Sequence, residues 1–269
     1  MTWVVGASSI FGYGIILSDV RVTFADKSQA DLVKKAYPLG RFIIGGFSGS
    51  IKIGFTLLDS LRSSLQPPPD ADPNGAWNPS VVANSWGPEW AAPAFAASEE
   101  IERKLGCTIL LVGLSEGREL SERRREITRV HIMRLSSPDF RPGHMRRWFT
   151  VCHIGRGSKV KLYKELMDSF FKTRSSAIQA EQGGPSLWAT VLASTMGQLA
   201  ERHPTAGISP HVHALICQAP NMIELVNDRT SVSAEGVRTE FKMPKVATTY
   251  QEFLAMCSKR GRAAEAAMA

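Results

Sequence analysis

Apolar positions open the chain in two dense runs. Residues 2–8 and 13–19 are rich in Val, Ile, Leu, Trp and Tyr, as strands prefer, and the glycine-containing stretch 11–14 joins them as a hairpin. A short strand is expected at 33–37 and a stronger one at 41–47 (RFIIGGF). After Gly49 and Ser50 the apolar positions are Ile51, Ile53, Phe55, Leu57, Leu58, Leu61 and Leu65. From Phe55 onward their spacing is near-helical, with one apolar face. Residues 66–79 hold five prolines, which no helix or strand interior accommodates, so they form a loop. The segment 80–97 is rich in Trp and Ala but interrupted by Pro88 and Pro93, and a kinked helical piece is expected. It closes over 98–104, with Gly106 as the C-cap.

Three strands are expected next, at 107–114, 126–135 and 147–154, then helices at 155–174 and 185–202. Pro185 stands where a first-turn proline is welcome. Strands at 209–218 and 238–243 and a short helix at 248–257 complete the pattern. Runs of strands alternate with pairs of helices, unlike the strict strand–helix alternation of a parallel sheet. The expectation is an α+β chain with two antiparallel sheets and helices outside them. A single domain over 1–258 is expected, with 66–79 as an inserted loop and 259–269 as a frayed tail.

Composition narrows the function classes. With 43% hydrophobic and 21% charged residues there is enough apolar material for a core, so wholesale disorder is excluded. The early apolar run ends by Leu17, short of the roughly 20 residues a bilayer crossing needs. No basic residue precedes Arg21, so a signal peptide is not expected either, and the cytoplasm is the expected location. The four cysteines are far apart and form no CxxC pair, which reads as buried free thiols, with no metal expected. No phosphate-binding glycine loop with its lysine is present, and no cofactor is expected. The net charge of +7 is concentrated: from Arg118 to Lys161 there are twelve Lys or Arg and four acids. Few aromatics interleave with them, so a nucleic-acid partner is not expected, and a contact between subunits or a chamber wall is the preferred reading.

The candidate chemistry begins at the second residue. Methionine is removed when a small residue follows it, which would leave Thr2 with a hydroxyl and a free α-amine on one residue. A hydroxyl needs an adjacent base to become a nucleophile. An α-amine titrates at about 7.7–8.0 and can take that proton near neutral pH.

The order of residues after Thr2 carries a resemblance. Asp19 and Arg21 close the second strand as S-D-V-R, Val33-Lys34-Lys35 follows, and Ile43–Ser50 reads I-I-G-G-F-S-G-S before F-T-L. This resembles proteasome β-subunits and the bacterial two-ring protease of the HslV type, in particular a bacterial proteasome-homologue branch. It is clearest over residues 2–65, with Asp19 one step late because the first hairpin is one residue longer. The resemblance implies a four-layer αββα sandwich of the N-terminal-nucleophile hydrolase kind and a threonine endopeptidase. In that reading Thr2 attacks, Lys35 (expected inward, with Lys34 outward) and Asp19 tune it, and Gly46 holds the oxyanion. Ser158 and Ser209 match the family's later serines. Val22, Val33, Tyr37, Ile44 and Ser48 map onto its specificity pocket and suggest small or apolar substrate side chains. It further implies stacked homo-oligomeric rings of twelve or fourteen subunits, unfolded polypeptide as substrate, and an ATP-dependent unfoldase as partner. Arg156 stands where the family has a serine, and Ala206 where it has an aspartate. These two departures carry the alternative, a ring scaffold of the same shape without turnover.

Overall fold

Two five-stranded antiparallel sheets organise the computed structural model, an α+β structure that describes residues 2–9, 12–40, 42–65, 85–115, 129–145, 151–172, 182–204, 207–218, 222–232, 236–261 and 267. The strands are β1 (Val4–Ser8), β2 (Gly14–Asp19), β3 (Arg21–Thr23), β4 (Gln29–Asp31), β5 (Ala36–Gly40), β6 (Ile43–Gly49) and β7 (Cys107–Ser115). They continue with β8 (Arg129–Ser136), β9 (Pro142–Met145), β10 (Val151–Ile154), β11 (Val212–Cys217), β12 (Met222–Val226), β13 (Arg229–Val232) and β14 (Arg238–Phe241). One sheet has the order β10-β1-β2-β11-β12 and the other β5-β6-β7-β8-β9; β3 with β4 and β13 with β14 form small hairpins. The proline-rich stretch 66–79, the arginine run 123–125 and Ala206 lie outside the described residues.

Every residue of β1, β2 and β11 is buried. This explains why these segments read as unbroken apolar runs and not as alternating ones. A buried cluster containing Val4, Ile16, Ile44, Leu110, Val112 and Leu215 draws on both sheets. A second joins the opposite side of β1, β2 and β11 to helices α4 (Lys161–Lys172) and α5 (Gly184–Arg202), through Leu17, Tyr163, Trp188 and Leu192. A third joins β6 and β7 to α1 (Ile51–Ser64) through Phe47, Phe55, Leu58 and Ile109.

Local chemistry moves several boundaries. Helix α1 begins at Ile51, four residues before the expected start, because the Ser50 hydroxyl caps it by accepting from the Ile53 N–H at 3.1 Å. The kinked piece is one continuous helical run from Ser85, in which a π-helical turn, Gly87–Ala91, passes into the short α2 (Ala92–Ala96), with Pro88 in the turn and Pro93 within the run. Helix α3 (Glu100–Leu105) ends at Gly106, whose φ of 68° suits glycine. The helix expected from residue 155 divides into a 3₁₀ turn, Arg156–Lys159, and α4. Helix α6 (Tyr250–Lys259) is capped by Thr249, with Glu252 reaching back to the Thr248 N–H at 2.7 Å. In the tail expected to fray, Ala267 is buried and its carbonyl accepts from the Ile51 N–H at 3.2 Å. The short strands β3, β4, β9, β12 and β13 were not expected; each has five residues or fewer.

Candidate active site

The chain end is locked in place by aromatic and glycine packing. Trp3 is fully buried, stacks on Tyr163 at 5.0 Å, and donates from its indole N–H to His153 Nδ1 at 3.2 Å. His153 turns its other ring nitrogen to Asp168 at 3.1 Å. The turn after β10 is built around this residue and its neighbour. The Gly157 N–H donates to the Thr2 carbonyl at 2.9 Å, and a Cβ at 157 would lie 2.4 Å from the Trp3 side chain. A Cβ at Gly155, where φ is +83°, would lie 2.4 Å from the Thr2 carbonyl oxygen. The I-G-R-G-S sequence therefore needs both glycines so that the N-terminal strand can lie against it.

Thr2, Asp19 and Lys35 meet in a fully buried cluster. Lys35 Nζ has three protons and three acceptors: Thr2 Oγ1 at 3.0 Å, Asp19 Oδ1 at 2.6 Å and the Arg21 carbonyl at 2.7 Å. Asp19 also accepts from the backbone N–H groups of Trp3 and Ser209, both at 3.2 Å. Burial pushes the Lys35 pKa down, the adjacent Asp19 carboxylate pulls it up, and the net is below the ordinary lysine value. Because the ammonium donates to the threonine oxygen, the hydroxyl's own proton is left to point elsewhere. Lys34 does not face outward as alternation predicted. It is nearly buried, with its ammonium 2.5 Å from Glu224 Oε1 and over the Tyr37 ring, because the two lysines sit in the extended stretch before β5 and not inside a regular strand.

A second layer of charge stands behind the first. Asp31 pairs with Arg21 at 2.8 Å and accepts from the Ser209 hydroxyl at 2.8 Å, with His211 at 4.0 Å. Burial works to raise the Asp31 pKa, but hydrogen bonds from Arg21 and Ser209 and the charges of Arg21 and His211 outweigh it, so the net is lowered. No local signal in the sequence marks Asp31, since it comes from the unexpected β3–β4 hairpin. A group with a depressed carboxylate pKa contributes stability above its unfolded value, here 3.8, and that contribution is lost as pH falls through the folded value. Asp31→Asn is therefore expected to cost about 1–3 kcal/mol at pH 7. In denaturant titrations the gap to the wild type should close below pH 3.8. A gap that stays constant with pH would show that the charge of Asp31 contributes nothing.

The Gly46 N–H, expected at the oxyanion, is turned into the sheet, and that of Gly49 is turned the other way. In β6 the Phe47 N–H donates to the Lys35 carbonyl at 3.1 Å and the Ser50 N–H to the Gly106 carbonyl at 2.8 Å. Ladder alternation then turns the Gly46 and Ser48 N–H groups toward β7, where Gly46 pairs with Leu110 and Ser48 with Thr108. The Gly46 N–H is thus part of the sheet. Its missing Cβ makes room instead for Val4, which would lie 3.1 Å away, where the two sheets approach. Gly49 turns its N–H the other way, toward the side where Lys35 lies, and β5 does not extend that far. Its φ of +105°, and the 2.2 Å that would separate a Cβ from the Gly106 carbonyl, demand glycine. Sequence reading missed Gly49, although the G-F-S-G-S run before a capped helix was a usable signal.

The remaining expected residues divide. The Ser158 hydroxyl donates to the Gly155 carbonyl at 2.5 Å, and that of Ser209 to Asp31, so neither serves Thr2 directly. Arg156 is exposed. Of the expected specificity residues, Ser48 lines a cleft of about 430 Å³ bordered by Gly49, Gly106, Gly155 and Ser158. Val22 and Val33 are buried in the α1-side core, and Ile44 in the cluster that draws on both sheets. Tyr37 packs beside that α1-side core, its hydroxyl donating to the Lys34 carbonyl. The three aliphatic residues fill the interior, Tyr37 is half-buried, and none of the four lines that cleft.

Among the described residues, no group of three or more His, Cys, Asp or Glu is placed to hold a metal ion. All four cysteines are buried and free, and burial pushes the Cys107 and Cys217 thiols up to about 12. No helix among the described residues is long and apolar enough to cross a membrane. Comparison with known protein-family models and with curated proteins gives no match.

Proposed function

We propose that the chain is an N-terminal-nucleophile amide hydrolase, a threonine peptidase in which Thr2 attacks once Met1 has been removed. The observation that carries this reading is the buried ammonium of Lys35 donating to Thr2 Oγ1 at 3.0 Å while held by Asp19 at 2.6 Å. A lysine buried without a chemical task is costly, and a cation beside a hydroxyl oxygen stabilises the alkoxide character that nucleophilic attack requires. The α-amine of processed Thr2 takes the hydroxyl proton, and Thr2 Oγ1 bonds to the substrate carbonyl carbon. The Gly49 N–H, unclaimed by either neighbouring strand, donates to the oxyanion. The C–N bond then breaks, the leaving amine takes the proton, and water hydrolyses the resulting ester. Two sheets sharing one buried cluster, with helices packed on the far side of each, support a four-layer αββα arrangement with Thr2 at one end of the sheets. Assembly into stacked rings, a cytoplasmic location and supply of unfolded chains by an unfoldase belong to the same reading, and mass photometry tests the ring.

Intact-mass measurement should show loss of Met1, and an epoxyketone or β-lactone should add to Thr2 of the processed chain. A processed chain that stays unlabelled would instead make this protein a ring component without turnover. Acylation should also depend on pH in a defined way. It should rise through the α-amine titration at about 7.7–8.0. It should fall again as Lys35 loses its proton, with that alkaline limb below the ordinary lysine value of 10.5. A rate that stays flat to pH 10.5 would mean that the charge on Lys35 is not used.

A further inference from the structure

We propose that the cleft beside Thr2 binds a carboxylate-bearing side chain of the substrate, so that the peptidase prefers Asp or Glu close to the bond it cuts. This rests on the reading of Thr2 as a nucleophile and replaces the apolar preference that the sequence suggested. The cleft of about 430 Å³ is large enough for a short peptide segment. It adjoins the backbone of Thr2: a Cβ on Gly155, one of its walls, would lie 2.4 Å from the Thr2 carbonyl oxygen and 3.4 Å from the Ser48 side chain. Three cations from separate places in the chain converge on it, Arg134 from β8 and Arg156 and Lys159 from the 3₁₀ turn. No Asp or Glu is among its described lining residues.

None of the three cations has an ion-pair partner among the described residues, whereas Arg21, Lys34, Lys35, Lys52, Arg62 and Lys104 all do. Like charges gathered in one cleft repel each other, and a cleft of one sign focuses its field on a counter-charge. Guanidinium groups hold a carboxylate through paired N–H donors, and the hydroxyls of Ser48 and Ser136 add neutral donors along the same wall. Part of the basic excess between Arg118 and Lys161 thus has a place beside the nucleophile, and Arg156, which marks a departure from the family pattern, becomes a specificity residue.

The test uses the processed full-length chain and internally quenched peptides that carry Glu, Gln or Lys at successive positions on each side of one central bond. At one or more positions Glu should exceed Lys in kcat/KM by about tenfold or more, the value of one charge-assisted contact. The preference should shrink with added salt. The double variant R134E/R156E should invert the Glu-to-Lys ratio, and R134Q/R156Q should bring it close to one. A chain that reacts with the β-lactone probe yet cleaves Glu and Lys peptides equally at every position overturns the cleft proposal and leaves the nucleophile intact. A chain that does not react with the probe overturns the nucleophile reading. Fluorescence anisotropy of the same peptides on the full chain carrying Thr2→Ala then decides the cleft separately: tighter binding of the Glu peptide supports it, and equal binding overturns it.

Discussion

Replacing Lys35 with methionine is expected to abolish acylation of Thr2 and to lower stability by roughly 3–5 kcal/mol, the usual cost of stranding one member of a buried ion pair. Both side chains of the Lys35–Asp19 pair are fully buried, so no solvent screens the loss. Methionine keeps most of the volume of lysine but leaves Asp19 Oδ1, the Arg21 carbonyl and Thr2 Oγ1 without their shared donor. The chemical and structural effects separate in a second variant. Adding Asp19→Asn to Lys35→Met removes the stranded charge and should recover much of the lost stability, because a buried pair replaced as a unit costs little. It should not recover acylation, since nothing then donates to the threonine oxygen. Denaturant midpoints and probe labelling, measured together on the two single variants and the double, check both statements. Labelling of Lys35→Met at the wild-type rate would remove Lys35 from the chemistry.

Gly49→Ala is expected to be strongly damaging, with Gly46→Ala a milder contrast. At 49 the backbone has φ of +105°, and the added methyl would lie 2.2 Å from the Gly106 carbonyl oxygen and 2.8 Å from its carbon. Both are backbone atoms, so the strand end must move, and with it the N–H aimed toward the Lys35 side. Loss of one oxyanion donor lowers turnover by about 10²–10³. The strained backbone adds a stability cost of about 1–3 kcal/mol. At 46 the nearest atom is the end of the Val4 side chain at 3.1 Å, with the Lys35 carbonyl at 3.3 Å. That contact yields by small shifts, so Gly46→Ala should lower the melting temperature while the variant still labels. If Gly46→Ala blocks labelling and Gly49→Ala does not, the oxyanion donor belongs to Gly46 and the ladder argument fails.

Much of the candidate site was legible because its parts lie in local order. The hairpin of β1 and β2 placed Asp19 at a strand end, and V-K-K placed a lysine that could turn inward. The run before α1 announced a glycine-rich strand ending at a helix cap. These are short-range signals, in which strand propensity, turn glycines and a capping serine act within a few residues. Less legible was anything set by a distant partner. Asp31 joins Arg21 only through a three-residue strand pairing, and Ser209 joins Asp31 across 178 positions of sequence. Val22, Val33 and Ile44 looked like pocket residues because they are apolar and near the motif, but Val22 and Val33 pack into the α1-side core and Ile44 belongs to β6, which is buried along nearly its whole length.

The sequence by itself determined the element types around Thr2 and the set of groups available there: a hydroxyl, a carboxylate and a lysine. It did so because alternation, glycine placement and capping are properties of neighbouring residues. Only the tertiary structure decided which way the N–H groups of Gly46 and Gly49 turn, since that depends on which strands flank β6 and where they stop. It alone gathered Arg134, Arg156 and Lys159 into one cleft, because charges far apart in the chain become neighbours only when sheets and turns are packed.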